Sequence, residues 1–228
     1  MEPYSASHLA AIAVFVVGVV PVVLLGRRER RTGHRTASRV MAVAIPVVFV
    51  PTQIVDLTTN FELRVSLPLH LCDLAWVAAS VALWTQNRLA CALTYFWGLV
   101  LTTQGIATPS LGEDFPELRY FAYWALHLLI VWAAVLVVWG LRVTPSWRDY
   151  REALLVTLGW VVVAYAFNLV ADTNYGYLIE KPRNGSVLDL LGPWPIYVIA
   201  EIAIVAAIWA LLTWPWNRTS APRIPAAR

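Results

Sequence analysis

Three polar side chains lie within four positions of one apolar stretch. This stretch, residues 67–73 (LPLHLCD), contains His70, Cys72 and Asp73. An ionisable side chain at membrane depth is costly, about 3 kcal/mol for an aspartate at a helix centre, so such residues usually face the protein interior and have a role. A cysteine thiolate is also a strong nucleophile. The stretch therefore indicates covalent chemistry at Cys72.

His127 is the base that we predict for this thiol. On a regular helix His70 and Cys72 point about 200° apart, so Cys72 needs a base from another helix unless Pro68 distorts the turn. His127 lies in the segment YFAYWALHLL. Counted from the outer end of its own predicted span, it is about as deep in the membrane as Cys72. An imidazole there would take the thiol proton and later return it. The predicted catalytic pair is Cys72 with His127.

Further polar residues would support this pair. His70 and Asp73 would orient the site or donate a hydrogen bond on the oxyanion side. Side-chain amides are suitable donors to a developing oxyanion. The candidates for this role are Gln104, Asn168 and Asn174.

A metal site is the less favoured reading of the same residues. Zinc accepts nitrogen, sulfur and oxygen ligands in a tetrahedron, but the spacing here matches no established zinc signature. We therefore expect neither a metal nor a cofactor. The second cysteine, Cys91, is expected to be a small hydrophobic residue, and a disulfide with Cys72 is not expected, since the two are predicted near opposite ends of different helices.

The elements that position these residues are membrane helices. Of the 228 residues 59% are hydrophobic, the mean hydropathy is +0.63, and there are 12 Trp. A helix needs about 20 apolar residues to cross a bilayer. We predict an all-α bundle of about seven transmembrane helices, forming a single transmembrane helical domain over residues 1–228. The predicted spans are 8–26, 38–57, 67–85, 89–109, 121–141, 153–172 and 195–216.

Basic residues predict the orientation of this bundle. Arginines cluster after the first, third, fifth and last spans, and the positive-inside rule places those loops in the cytoplasm. The N-terminus is then outside, the C-terminus is cytoplasmic, and the polar residues of the spans lie toward the outer side around one cavity. Because topology explains the arginines, nucleic-acid binding is not expected. Sixteen Arg against one Lys, with abundant Ala and Val, suggest a bacterial cell membrane.

The longest outer connection, residues 174–195, mixes turn residues with aromatic and apolar ones. Loops of this length are uncommon unless they serve a site, so we expect a partly helical segment that folds back onto the rim of the bundle. It supplies the residues predicted to bind substrate, which are Tyr175, Lys181, Asp189 and Trp194. Glu201, just beyond it, is expected to pair with Lys181, Arg183 or a histidine.

Two motifs resemble a known family. LPLHLCDLA at residues 67–75 and NYGYLIEKPRNGSVLDLLGPWPIY at residues 174–197 are similar to those of the YwaF-like integral membrane proteins. That bacterial family is similar to the vertebrate transmembrane protein 164 group and, more remotely, to the androgen-induced AIG and ADTRP hydrolases. The resemblance covers nearly the whole chain.

The resemblance implies a reaction class rather than a substrate. The vertebrate group is described as a cysteine-dependent acyltransferase that remodels ether glycerophospholipids, with a nucleophile that corresponds to Cys72 and a histidine that corresponds to His127. The expected function is acyl transfer between membrane lipids, an acyl donor and a lysolipid acceptor, or hydrolysis of a lipid ester, through a thioester and without a cofactor.

Two alternatives from other classes stay open. Buried His, Asp and Glu also form proton relays, so a small proton-coupled transporter is one of them. The one-sided distribution of polar residues argues against it, since alternating access needs a polar path to both faces. The other is a non-catalytic membrane scaffold, in which the polar residues join helices and Cys72→Ala would be silent.

Overall fold

The computed structural model describes residues 4–59, 61–107, 109, 114–182 and 186–218, and every regular element within these ranges is helical. Seven helices of 15 residues or more carry the fold of this part of the chain. They are α1 (Ala6–Thr32), α2 (Thr36–Thr58), α3 (Leu71–Thr85), α4 (Arg88–Ala107), α5 (Leu118–Gly140), α6 (Trp147–Ala171) and α7 (Ile196–Asn217).

Short polar residues determine where several of these helices begin. The Ser5 hydroxyl accepts a hydrogen bond from the backbone N–H of His8 at 3.4 Å, and the Asn87 amide oxygen accepts one from Ala90 at 3.1 Å. At the start of α6 the Ser146 hydroxyl accepts from the Asp149 backbone, and Asp149 accepts from that of Ser146. These reciprocal bonds satisfy N–H groups that the first helical turn leaves free.

Six of the seven helices are long and apolar enough to cross a membrane, which confirms the predicted all-helical membrane architecture. The third predicted span differs. It was expected over residues 67–85, but α3 has only 15 residues and begins at Leu71. Its length of about 22 Å is short of the ~30 Å hydrocarbon core. Residues 67–70, with Pro68, approach it as an irregular segment.

Successive helices run in alternating directions, so the bundle has two ends. The start of α1 lies against the end of α4, where His8 Nε2 donates to the Ile106 carbonyl at 2.8 Å. We call this the His70 end, since α3 also begins there. At the opposite, Arg88 end, Arg88 of α4 pairs with Asp149 of α6. Most polar residues of the predicted spans lie toward the His70 end.

The interior of the bundle is formed by α4, α5 and the adjoining faces of α3 and α7. Phe96, Ile130, Leu136 and Trp209 are fully buried there. The outer helices α1, α2, α6 and α7 leave many large apolar side chains exposed, as expected of surfaces that face lipid.

Two glycines bring α1 and α5 into backbone contact. A methyl group added to Gly26 would lie 2.6 Å from the Cα atom of Gly140. Small residues allow such close approach of membrane helices. The contact forms where α5 ends in a π-helical turn, Leu136–Gly140.

The long connection between α6 and α7, residues 172–195, contains two short 3₁₀ turns, Tyr175–Tyr177 and Val187–Leu191. It is therefore partly helical, as predicted, and residues 183–185 lie outside the described ranges. Its contacts with Leu63, Leu67 and Tyr197 hold it on the rim of the bundle.

Candidate functional site

A cavity opens between α3, α4, α6, α7 and the α6–α7 connection. It contains about 910 Å³ of empty space, counted out to its open mouth. Most of its wall is apolar, with eight aliphatic side chains from the four helices: Leu71, Leu101, Leu154, Leu158, Val161, Val198, Ile202 and Val205. Such a wall suits a hydrophobic ligand.

Most polar groups of this cavity lie toward one end; the exception is Thr157 near the middle of α6, whose hydroxyl already bonds the Ala153 carbonyl and the Trp97 indole. His70 and Cys72 lie at the start of α3, Tyr177 lies in the connection, and Glu201 lies in the second turn of α7. Leu154 and Val205 line the cavity nearer the middle of their helices. The cavity is thus amphipathic along its length, like a lipid with a polar head and an apolar chain.

The start of α3 brings Cys72 into this cavity. The Asp73 carboxylate accepts a hydrogen bond from the backbone N–H of His70 at 2.9 Å, so Asp73 caps the helix and His70 precedes it. The helical angle of 200° assumed between His70 and Cys72 is therefore wrong, because His70 has an extended backbone. Both side chains line the same cavity.

The His70 ring lies among aromatic rings of the connection. Its centroid is 5.0 Å from the ring of Tyr175 and 6.3 Å from that of Tyr177. These contacts couple the position of the imidazole to the connection that covers it.

His127 lies on α5 and is only 8% exposed. Its Nδ1 donates to the Tyr123 carbonyl at 2.8 Å, and its ring stacks on that of Tyr123 at 4.0 Å. Because a carbonyl can only accept, Nδ1 carries the proton of the neutral ring and Nε2 keeps its lone pair. Nε2 faces Gly105 of α4.

The contacts described for His127 do not include Cys72, and His127 is not among the residues that line the cavity. Leu101, one helical turn before Gly105, does line it. The pairing of Cys72 with His127 stays a prediction.

The three amides predicted as oxyanion donors lie elsewhere. Asn168 is buried and holds the connection through three bonds, to Tyr175 N–H, Tyr175 C=O and the Thr173 hydroxyl. Asn174 bonds the backbone of Ile179 and Glu180. Gln104 is exposed on α4. None of the three lines the cavity, and their oxyanion role stays a prediction.

The four predicted substrate-binding residues hold the connection together. The fully buried Tyr175 donates its hydroxyl to the Leu63 carbonyl at 2.7 Å and accepts from Leu67 N–H at 3.1 Å. Burial raises the pKa of this hydroxyl, which keeps it protonated. Lys181 lies 3.9 Å from Asp189, and Trp194 donates to the Leu178 carbonyl at 3.1 Å.

None of these four side chains lines the cavity, whereas residues 176–178 of the same connection do. Their assignment to substrate binding stays a prediction. Two of them support the cavity roof in the structure, since Trp194 bonds to Leu178 of the roof and Tyr175, next to the roof, bonds to Leu63 and Leu67.

Glu201 is the acidic side chain of the cavity. Among the described contacts it has neither a hydrogen bond nor an ion pair, and Lys181, one of its expected partners, lies beside Asp189 instead. Arg183, another expected partner, lies outside the described residues. Within the described ranges no group of three or more His, Cys, Asp or Glu could hold a metal ion.

Both cysteines are free thiols in different surroundings. Cys91 is 4% exposed at the Arg88 end, next to Arg88 and Asp149 in a narrow crevice. Cys72 is partly exposed in the amphipathic cavity. The reactivity of Cys72 can therefore be compared with that of Cys91 in the same protein.

Three residues that sequence reasoning missed shape this end of the bundle. Trp160 lines the cavity and donates to the Leu69 carbonyl at 3.0 Å, which holds the approach to α3. Gly105 leaves room for the His127 ring, and His8 joins α1 to α4. The role of each residue depends on contacts with residues far away in the sequence, so no local sequence pattern predicts it.

One comparison with known proteins identifies a family for this chain. The model of the TMEM164 family matches residues 3–213, nearly the whole described bundle. No curated protein and no solved structure matches the chain. Because the match covers most of the chain, this membrane protein belongs to the TMEM164 family.

Proposed function

We propose that this protein is a lipid acyltransferase, or a lipid ester hydrolase, that works through a thioester on Cys72. The observation that carries the proposal is the position of the thiol at the polar part of a long, mainly apolar cavity. An acyl chain can lie along the Leu and Val wall while its ester carbonyl reaches the thiol.

The chemistry uses two displacements at one carbonyl. A base removes the Cys72 proton, and the thiolate attacks the ester carbon of a donor lipid. The tetrahedral intermediate collapses, the ester C–O bond breaks, and the departing alkoxide takes the proton. The acceptor hydroxyl, or water, then attacks the thioester with loss of its own proton, and Cys72 regains a proton as the new ester or free acid leaves.

His127 is the base that we assign, on the strength of the sequence and the family resemblance. The lone pair on Nε2 supports this role, because the Tyr123 carbonyl fixes the proton on Nδ1. His70 is the competing base, since it shares the cavity with Cys72. Substitution of each histidine separately distinguishes the two.

The testing experiment is labelling of the purified protein in detergent with a lipid-like acyl probe that reacts with thiols. Cys72→Ser, His127→Ala and His70→Ala are compared with the wild type, and Cys91→Ser is the matched control. We expect label on Cys72, unchanged labelling in Cys91→Ser, and loss of at least about tenfold in rate when the true base is removed.

The outcomes separate the classes of function. Loss with His127→Ala supports the assigned pair, and loss with His70→Ala alone transfers the role of base to His70. If Cys72 reacts no faster than Cys91, acyl transfer is wrong. Transport assays are then the next step, because an acidic side chain in a membrane cavity also suits a proton-coupled carrier.

A further inference from the structure

The second half of the α6–α7 connection exposes a group of large apolar side chains. In the 3₁₀ turn Val187–Leu191, Val187 is 71% and Leu190 84% exposed. Trp194, three residues further on, is 50% exposed. Single exposed apolar residues are common, but a group of large ones marks a surface that meets a membrane or a partner.

The charged side chain of the same turn, Asp189, is exposed but has partners within the connection. The Asp189 carboxylate accepts from the backbone N–H of Ser186 at 2.8 Å and lies 3.9 Å from the Lys181 ammonium. Lys181 in turn lies 5.5 Å from the centre of the Tyr197 ring. The turn therefore holds its one carboxylate with partners of the connection and exposes large apolar side chains beside it.

The exposed hydrocarbon lies next to α7, against which the turn Val187–Leu191 packs, and both helices that flank the connection expose apolar side chains. Val170, in the last turn of α6, is 90% exposed, and Ile196 and Ile199, in the first turn of α7, are 56% and 65% exposed. Side chains of this kind on spanning helices meet lipid. A surface next to theirs at the helix ends lies at the boundary between acyl chains and headgroups.

We propose that Val187, Leu190 and Trp194 form an interfacial anchor that inserts into the acyl-chain boundary of the membrane leaflet at the His70 end. Short amphipathic segments bind there by burying apolar side chains about 5–10 Å into the interface, and Trp is enriched at that depth. The occupant of this surface is lipid rather than a second protein.

The anchor sets the depth of the cavity roof. The Trp194 indole donates to the carbonyl of Leu178, and Leu178 lines the cavity. An anchor held at the acyl boundary keeps residues 176–178 at the same level, so that the polar part of the cavity lies at headgroup depth. This inference does not depend on the chemistry assigned to Cys72.

The test is a spin-label measurement of depth in liposomes of phosphatidylcholine and phosphatidylglycerol. In a full-length background with Cys72→Ser and Cys91→Ala, single cysteines are introduced by Leu190→Cys, Val170→Cys and Glu180→Cys. Val170 is the lipid-facing reference on α6. Glu180, which is exposed on the same connection, is the water-facing reference. All three sites are exposed, so the substitutions remove no buried contact.

Collision rates of each nitroxide with oxygen and with a water-soluble nickel chelate give its depth. We expect the oxygen-to-nickel ratio at site 190 to approach that at site 170 and to exceed that at site 180 by about tenfold. A ratio at site 190 equal to that at site 180 would show a turn in water and overturn the proposal. Shielding of site 190 from both reagents would show that protein covers it, which would overturn it as well.

Discussion

A methyl group added to Gly105 would lie 2.7 Å from Nε2 of His127. The ring cannot easily retreat, because Tyr123 stacks against it at 4.0 Å and holds its Nδ1. Because residue 105 has no side chain, no atom of that residue blocks the lone pair on Nε2 of His127.

Gly105→Ala should displace the His127 ring and slow labelling of Cys72 if His127 is the base. A misplacement of about 1 Å can cost up to about a hundredfold in rate. Gly159→Ala on α6 is the control, since a methyl group there meets nothing within 4 Å. Full labelling by a correctly folded Gly105→Ala protein would count against His127.

Gly26→Ala should destabilise the bundle by about 1–3 kcal/mol, because the new methyl group would strike the backbone of Gly140 rather than a movable side chain. The midpoint of thermal unfolding in detergent measures this. Gly159→Ala, with open space around it, should leave the midpoint unchanged or slightly higher. An unchanged midpoint for Gly26→Ala would mean that the α1–α5 contact is looser than described.

Asp149→Asn should cost about 1–2 kcal/mol of stability, mainly through the cap. Asp149 has little exposed surface, pairs with Arg88 and caps α6 through Ser146. Arg88 is more than half exposed, so water solvates it once the pair is lost. Glu152→Gln is the control. Its pair with Arg148 is largely exposed and should contribute less than about 1 kcal/mol. Equal shifts in the two melting curves would contradict this account.

Tyr175→Phe should weaken the packing of the α6–α7 connection. The phenyl ring stays buried and only the hydroxyl is removed. The hydroxyl joins the Leu63 carbonyl and the Leu67 N–H, and both lose a partner, at a cost of about 1–2 kcal/mol. Hydrogen exchange of the connection, followed by mass spectrometry, should become faster. Tyr165→Phe on α6 is the comparison, since no hydrogen bond is among the described contacts of that hydroxyl, and protection there should stay as in the wild type.

Glu201→Gln separates a functional carboxylate from a structural one. The change replaces an acidic group in an apolar cavity by a neutral amide of the same shape and breaks no described hydrogen bond or ion pair, so the thermal midpoint should stay the same or rise. A structural carboxylate would instead give a clear fall in the midpoint. A change in labelling rate at constant stability would place Glu201 among the groups that handle substrate.

The sequence alone was sufficient for the membrane class and for the positions of the helices. Runs of apolar residues are local, and six of the predicted spans coincide with helices to within a few residues at most ends. The exceptions have local causes. Polar caps extend α6 back to Trp147, α1 continues through its arginines to Thr32, and Asp73 delays the start of α3 to Leu71.

Only the tertiary structure decided which polar residues share a cavity. Cys72, His70 and Glu201 come from α3, its approach and α7, and their common cavity depends on how helices distant in sequence pack. Asn168, Asn174 and Tyr175 have the same polar character, yet their hydrogen bonds fold the connection. Hydropathy and spacing along the sequence predict how far along its helix a residue lies. Which cavity or helix its side chain contacts depends on how the helices pack against one another.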